Sequence, residues 1–372
     1  MRSTKLLAAL LAAFLAEAAL AQEGGTPPPP AGGQQGGREG GREGRGDGRR
    51  RGRRSERDPA TVQLTQLTYQ RLEFETKNAT SGKATAGVYL PADYAEPANA
   101  ERKYPLVVWL HGMNEDDRDF HFSGAKVVDE TIAAGKLARC IVVAFAAPSR
   151  TLYMNGEQEG NLCDLITKDL PAWATAQWRV SPERADHALM GVSLGGMAVL
   201  RYGLSSPELY GTVAAHSAAT FPEDPSSLPA QHMGTVQRFG ERLGWNALLG
   251  NPIDPAKFAK VNPTSLAKAS TDVKGLRIYF DAGTNDRYGF GPANEELSAA
   301  LKAKGIAHTF RLIDGGEHSW GGGTVQAALV ESLAFVNGGF SKACAANVAK
   351  PAGAPAGAPA GEAKKGESKS GQ

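Results

Sequence analysis

"ADHALMGVSLGGMAVLRYGLS", residues 185–205, decides how this chain folds. An apolar, strand-like run meets a glycine, shows one serine, meets glycine again and continues at helical spacing. Gly191, Ser193 and Gly195 stand in the order Gly, any residue, Ser, any residue, Gly. This is the pattern of a tight strand-to-helix turn that lifts a serine hydroxyl above the carboxyl edge of a sheet. The spacing has a steric reason. Such a turn strains the backbone at the serine and brings strand and helix close together, and the flanking glycines have no Cβ to collide there. A plain turn of this shape would leave the serine without chemical partners, so the rest of the chain has to supply them.

Working outward, apolar runs at 104–112, 138–146, 185–193, 211–218, 275–283 and 307–315 read as strands buried on both faces. Two alternating runs, 67–76 and 83–94, read as antiparallel strands at a sheet edge. Amphipathic stretches at 161–178, 195–205, 293–305 and 324–338 read as helices between them. Strands alternating with helices predict an α/β fold with a mostly parallel central sheet covered on both faces. In such sheets functional groups gather at the carboxyl ends of the strands. Residues 222–272, rich in Pro, Asn and Ser, interrupt the alternation and read as an inserted cap.

A serine hydroxyl is a weak nucleophile without a base, and the base needs an acid to orient it. In this fold the chain order is Ser, acid, His. Of seven histidines, His318 in "IDGGEHSWGGG" lies just past the last strand-like run, where a base is needed. His187 and His308 fall at strand starts, and His121 and His232 lie in polar segments. His216 ends a strand and could line a pocket, but it comes too early in the order. For the acid, "RIYFDAGTNDRYGF" offers Asp286 in the loop after the strand. Asp281, still within that strand, reads as tying down its turn, and Asp314 is a more distant choice. The oxyanion of acyl transfer needs two fixed N–H donors. Leu194, next after the serine, supplies one, and Met113, after "VVWLHG", the other. His111 reads as a brace of that loop. This chemistry calls for no metal or organic cofactor.

The two ends are of different composition. Residues 1–22 have Arg2 and Lys5, an apolar run and Ala19-Leu20-Ala21, the pattern of a leader cleaved on export, so the mature protein is expected to be secreted or periplasmic. That apolar run is short of the ~20 residues of a membrane span and contains Glu17, so no transmembrane segment is expected. Residues 23–59, Gly-, Pro- and Arg-rich, and 347–372, rich in Ala, Pro, Gly and Lys, have too little apolar surface to offset chain entropy and read as disordered. Residues 60–346 are left as one large domain. With 41 basic and 39 acidic residues the net charge is +2, which argues against specific nucleic-acid binding. The Arg cluster "GRGDGRRRGRRSER" is suited to touch an anionic surface polymer, though a solvated tether is the plainer reading. Three cysteines are too few for a disulfide framework, and Cys140, opening an apolar run, reads as a small buried hydrophobe.

Four stretches carry a family resemblance: "PLVVWLHG", "LPAWATAQWRVSPERADHALMGVSLGGMAVLRYGL", "FDAGTNDRY" and "GGEHSW". Over about 65–340 the chain resembles the esterase D-type esterases of the α/β-hydrolase superfamily. Their relatives include feruloyl and acetyl-xylan esterases, S-formylglutathione hydrolase and the antigen 85 mycolyltransferases. The resemblance implies Ser193 as nucleophile, Asp286 as acid and His318 as base, and a small-molecule or carbohydrate ester, acyl or feruloyl, as substrate. The chain departs from the family in Leu194, where members often carry Met, and in 222–272, which matches no family stretch. The same machinery would also serve acyl transfer to a sugar or lipid alcohol. A hydrolase fold kept only as a binding module is the non-enzyme alternative, and such modules tend to lose a member of the triad.

Overall fold

Strands β3 (Leu106–Leu110, "LVVWL"), β4 (Ile141–Phe145, "IVVAF"), β5 (His187–Val192) and β6 (Thr212–His216) are almost wholly buried, because both faces of the sheet they build are covered. The structure is a computed structural model and describes residues 58–319 and 326–348. The leader read at 1–22, nearly all of 23–59 with its Arg cluster, and nearly all of 347–372 lie outside the described residues. Strands β1 (Leu67–Glu75), β2 (Lys83–Pro91), β7 (Arg277–Gly283) and β8 (Thr309–Ile313) complete an eight-stranded sheet in the order β1-β2-β4-β3-β5-β6-β7-β8. The pairs from β4 through β8 are parallel, and β1 and β2 are antiparallel additions at one edge. This is the α/β-hydrolase fold that the sequence predicts, with strand centres in the expected places and ends trimmed by a few residues.

The strand pleat sorts side chains into two cores. Leu106, Val108, Ile141, Val143, Leu189, Val213 and Phe280 face helix α3 (Leu194–Ser205), where Val199 and Leu200 meet them. Val107, Trp109, Val142, Met190, Ala214 and Tyr279 face α1 (Asp117–Ala133) and α9 (Gln326–Asn337), through Phe120, Val128, Leu329 and Leu333. Each fully buried aliphatic side chain contributes roughly 1.5–3 kcal/mol. Helix α1 starts from a capping box in which Asp116 and Asp119 satisfy each other's backbone N–H groups.

The helix expected over 161–178 forms, but not as one regular coil. It is α-helical over Leu162–Asp164, widens to π turns over Leu165–Asp169 and returns as α2 (Leu170–Gln177). Pro171 offers no N–H to the ladder there, and the turn is wider just before it.

Between β6 and β7, α4 (Ala230–Gly240), α5 (Trp245–Leu249) and α6 (Pro255–Ala259) precede α7 (Pro263–Ala269). Phe239, Trp245 and Leu249 from this segment join Leu194, Met197 and Ala219 in a third apolar cluster at the start of α3. Helix α7 packs on α3 and on α8 (Gly291–Ala303), as a crossover helix between parallel strands does. Among the described residues no helix is long and apolar enough to cross a membrane.

Candidate active site

The turn after β5 has the tight form its glycines predict. Ser193 sits at φ 56° and ψ −117°, a conformation that costs a non-glycine residue about 1–3 kcal/mol. A Cβ on Gly195 would lie 2.3 Å from the Leu110 carbonyl oxygen, and one on Gly191 would lie 2.8 Å from that same oxygen. The serine peptide is held on both sides by the end of β6 and the residues just after it. Its N–H donates to the His216 carbonyl at 2.9 Å, and its carbonyl accepts from the Ala219 N–H at 2.9 Å.

The loops after β7 and β8 are fastened to each other. Thr284 N–H donates to Ile313 O (3.0 Å), Asn285 N–H to Gly316 O (2.9 Å) and Gly315 N–H to the Thr284 hydroxyl (2.8 Å). They approach so closely that a Cβ on Gly283 would lie 2.0 Å from the Gly316 oxygen. Asp286 and His318 sit on this clasp. The Asp286 Oδ2 accepts from His318 Nδ1 at 2.8 Å, and its Oδ1 accepts from the Tyr288 N–H at 2.8 Å. A carboxylate only accepts, so Nδ1 carries the proton and Nε2 is left to accept. Nε2 lies 3.0 Å from the Ser193 Oγ, which donates to it. The Asp286 side chain is 1% exposed and the His318 side chain 10%, so the line is open to solvent only near its serine end.

The loop after β3 forms the opposite wall. A Cβ on Gly112 would lie 3.1 Å from the Ser193 Cβ, so the peptide leading to Met113 passes beside that serine. Several groups fix this loop. Gly112 N–H donates to Glu115 Oε2 (2.9 Å), Asn114 N–H to Ser149 O (2.5 Å), and the Tyr153 hydroxyl to His111 O (2.7 Å). The His111 ring nitrogens meet the carbonyls of Gly112 (2.8 Å) and Ala147 (3.0 Å) and none of the three groups in line, so it is a brace. Leu194 opens α3 directly after the serine. On the outer side, Tyr288 meets His318 edge-on (ring centroids 4.6 Å apart), and Phe290 lies at 5.6 Å. His232 stacks on Phe290 at 4.7 Å and bonds Tyr288 O at 2.7 Å.

The remaining candidates fall elsewhere. His187 bonds Ser181 O, His308 bonds Ser298 and Ile306 O, His121 bonds Tyr89 and Pro59 O, and Asp314 is exposed. His216 does not line a pocket. The pleat turns it to the same face as Ala214, where it is 1% exposed between Asp281 and Ser332. Asp281 does not tie down its own turn: it accepts the Ser217 N–H at 3.0 Å and so holds the turn after β6 instead. The parts that sequence reading did not single out are Glu115, Tyr153, Ser217, Tyr288 and Phe290, while His232, set aside as lying in a polar segment, joins the last two rings. The aromatics in "DRYGF" were the only available signal. Among the described residues no group of three His, Cys, Asp or Glu side chains is placed to hold a metal ion.

The sequence pattern of the family described as "Putative esterase" matches residues 77–336, well over half of the chain. The chain belongs to this esterase family. Its match to an esterase of Mycobacterium tuberculosis is 27% identical over 284 residues, covering 70% of this chain and 56% of that protein. An endo-1,4-beta-xylanase/feruloyl esterase of Xylanibacter ruminicola is 27% identical over 157 residues, covering 39% of this chain and 21% of that protein. The chain thus spans about half the length, or less, of these curated relatives. Among solved structures, a ferulic acid esterase superposes with TM-score 0.59 at 23% identity, covering 75% of this chain and 100% of that one. An S-formylglutathione hydrolase from Agrobacterium tumefaciens gives 0.57 at 17% identity, covering 74% and 97%. Both likenesses bear on the fold, which this esterase-family chain shares with them.

Proposed function

We propose that this protein hydrolyses carboxylic esters through an acyl-enzyme on Ser193, with His318 as general base and acid and Asp286 as its orienting partner. The observation that carries this reading is the unbroken hydrogen-bonded line from Ser193 Oγ through the imidazole to the Asp286 carboxylate. In the first half-reaction His318 Nε2 takes the hydroxyl proton as Oγ bonds to the ester carbonyl carbon, and the carbonyl electrons move to oxygen. The N–H groups of Leu194 and Met113 receive that oxyanion, each contributing ~3–4 kcal/mol by analogy with other oxyanion holes. The intermediate collapses, the carbon–alkoxy bond breaks, and the alkoxide takes the proton from Nε2. Water then repeats the sequence on the acyl-enzyme and frees the acid. Asp286 holds the Nδ1–H tautomer and stabilises the imidazolium.

The substrate class we favour is an acyl or feruloyl ester of a carbohydrate. Supporting it are the feruloyl esterase name of one relative and the aromatic wall of Tyr288 and Phe290 beside His318. The leader pattern at 1–22 would place such an enzyme outside the cytoplasm, with 60–346 as the hydrolase domain and 222–272 as its cap.

Ser193→Ala is expected to abolish hydrolysis of p-nitrophenyl acetate and labelling by a fluorophosphonate, with the circular dichroism spectrum unchanged. Turnover persisting in that variant would overturn the reading. Product analysis with an added sugar alcohol distinguishes hydrolysis from acyl transfer.

A further inference from the structure

A second line of polar groups runs through the molecule and ends one residue from His318. It starts in α9, where the Ser332 hydroxyl, fully buried, meets His216 Nε2 at 3.0 Å. His216 Nδ1 donates to Asp281 Oδ2 at 2.7 Å. The other Asp281 oxygen accepts the Ser217 N–H at 3.0 Å. Trp109 and Tyr279 flank the His216 ring, with centroids 6.1 and 6.0 Å away. His216, Asp281 and Ser332 are all 1% exposed or less, so no ester reaches them. What they support is Ser217, a non-glycine residue held at φ 43°. In that conformation its hydroxyl donates to the Ser319 carbonyl at 2.8 Å and accepts the Ser319 N–H at 3.3 Å. One oxygen therefore grips both sides of the residue that follows His318.

The same segment also holds the nucleophile, since His216 O and Ala219 N–H bracket the Ser193 peptide. Residues 216–219 are thus a shared seat for the serine turn and the imidazole loop. Asp286 reaches the imidazole from its Nδ1 side only.

We propose that Ser217 is a positioning residue for His318, setting the distance between Nε2 and Ser193 Oγ, and that the Ser332–His216–Asp281 line is the buried anchor keeping Ser217 in its strained conformation. This rests on the triad reading above. The imidazole has two tasks, and they differ in their demand on placement. It must take the serine proton, and it must deliver that proton to the leaving oxygen. An alkoxide cannot leave without it, whereas p-nitrophenolate can. Loosening the loop should therefore harm alkyl esters more than activated ones, and a misplacement of ~1 Å is worth up to about 100-fold.

The test compares ethyl acetate with p-nitrophenyl acetate, two esters with one acyl group and different leaving groups. Values of kcat/KM are taken per active site titrated by a fluorophosphonate, so unfolded protein does not count. Two variants are used. Ser217→Ala removes the hydroxyl, and Ser217→Gly removes it while allowing φ 43° without strain. Both are expected to lose roughly 10–100-fold on ethyl acetate and several-fold less on p-nitrophenyl acetate. Wild-type rates in Ser217→Gly, or equal losses on the two esters, overturn the proposal. Activity surviving in Ser193→Ala would instead overturn the triad reading, and it is read in a separate protein.

Discussion

At the scale of single residues, the arrangement turns on which oxygen meets which nitrogen. Asp286 was legible as a candidate because an acid in the loop after the seventh strand can turn toward a histidine after the eighth. Its Oδ2 lies 2.8 Å from His318 Nδ1. Asp286→Asn puts an amide there. If its N–H2 faces the ring, Nε2 must carry the proton and can no longer accept from the serine. By analogy with other triads, kcat should fall about 10³–10⁴-fold with the fold unchanged. Steady-state kinetics with p-nitrophenyl acetate would measure it, and a loss under tenfold would remove the orienting role. Ser217, by contrast, was illegible. A serine in "HSAAT" has no spacing signal, and its partner stands 102 positions further along. His216 was misjudged for a related reason. Polar residues at strand ends usually meet the rim, but the pleat here turns this one inward to a buried acid.

At the scale of elements, the central strands were easy to read because parallel strands covered on both faces are near-continuous apolar runs. The short helices within 222–272 were not, since that stretch is polar and its apolar contacts are with the start of α3 and the loop of Tyr288 and Phe290. His232 on α4 ties this segment to the loop of Tyr288 and Phe290. Burial holds its pKa below the usual 6.5, outweighing the bond to Tyr288 O and the nearby Asp286 charge, which act the other way. The sign follows directly. The folded state binds that proton less readily than the unfolded one, so stability is full above about pH 6.5 and falls as pH drops through the folded value. His232→Phe keeps the stack on Phe290 without a titrating group. Thermal midpoints of the two proteins from pH 8 to 5 should show the wild type losing ground to the variant only below about 6.5. A constant difference across that range would exclude this coupling.

At the scale of the molecule, the three thiols follow the packing and not any redox role. Cys140 is fully buried, and burial pushes its pKa up to about 12. Cys344 is raised to about 11, mainly by burial, and Cys163 is raised for the same reason. All three are unpaired. An aromatic disulfide reagent at pH 8 should therefore modify the folded protein slowly, at Cys163 first, and all three thiols at once after denaturation. Rapid labelling of two or more native thiols would contradict the packing described. Reading the whole from the sequence worked where a local pattern had to be met by a local shape, as at the serine turn. It failed where no local pattern marks the residue, as at Ser217.

The clasp between the loops after β7 and β8 has a consequence for descent as well as for chemistry. Because Thr284, Asn285, Ile313, Gly315 and Gly316 bind across it, neither loop can gain or lose a residue without dragging the other out of register. In related chains, insertions and deletions at these two places should accordingly arise as matched pairs.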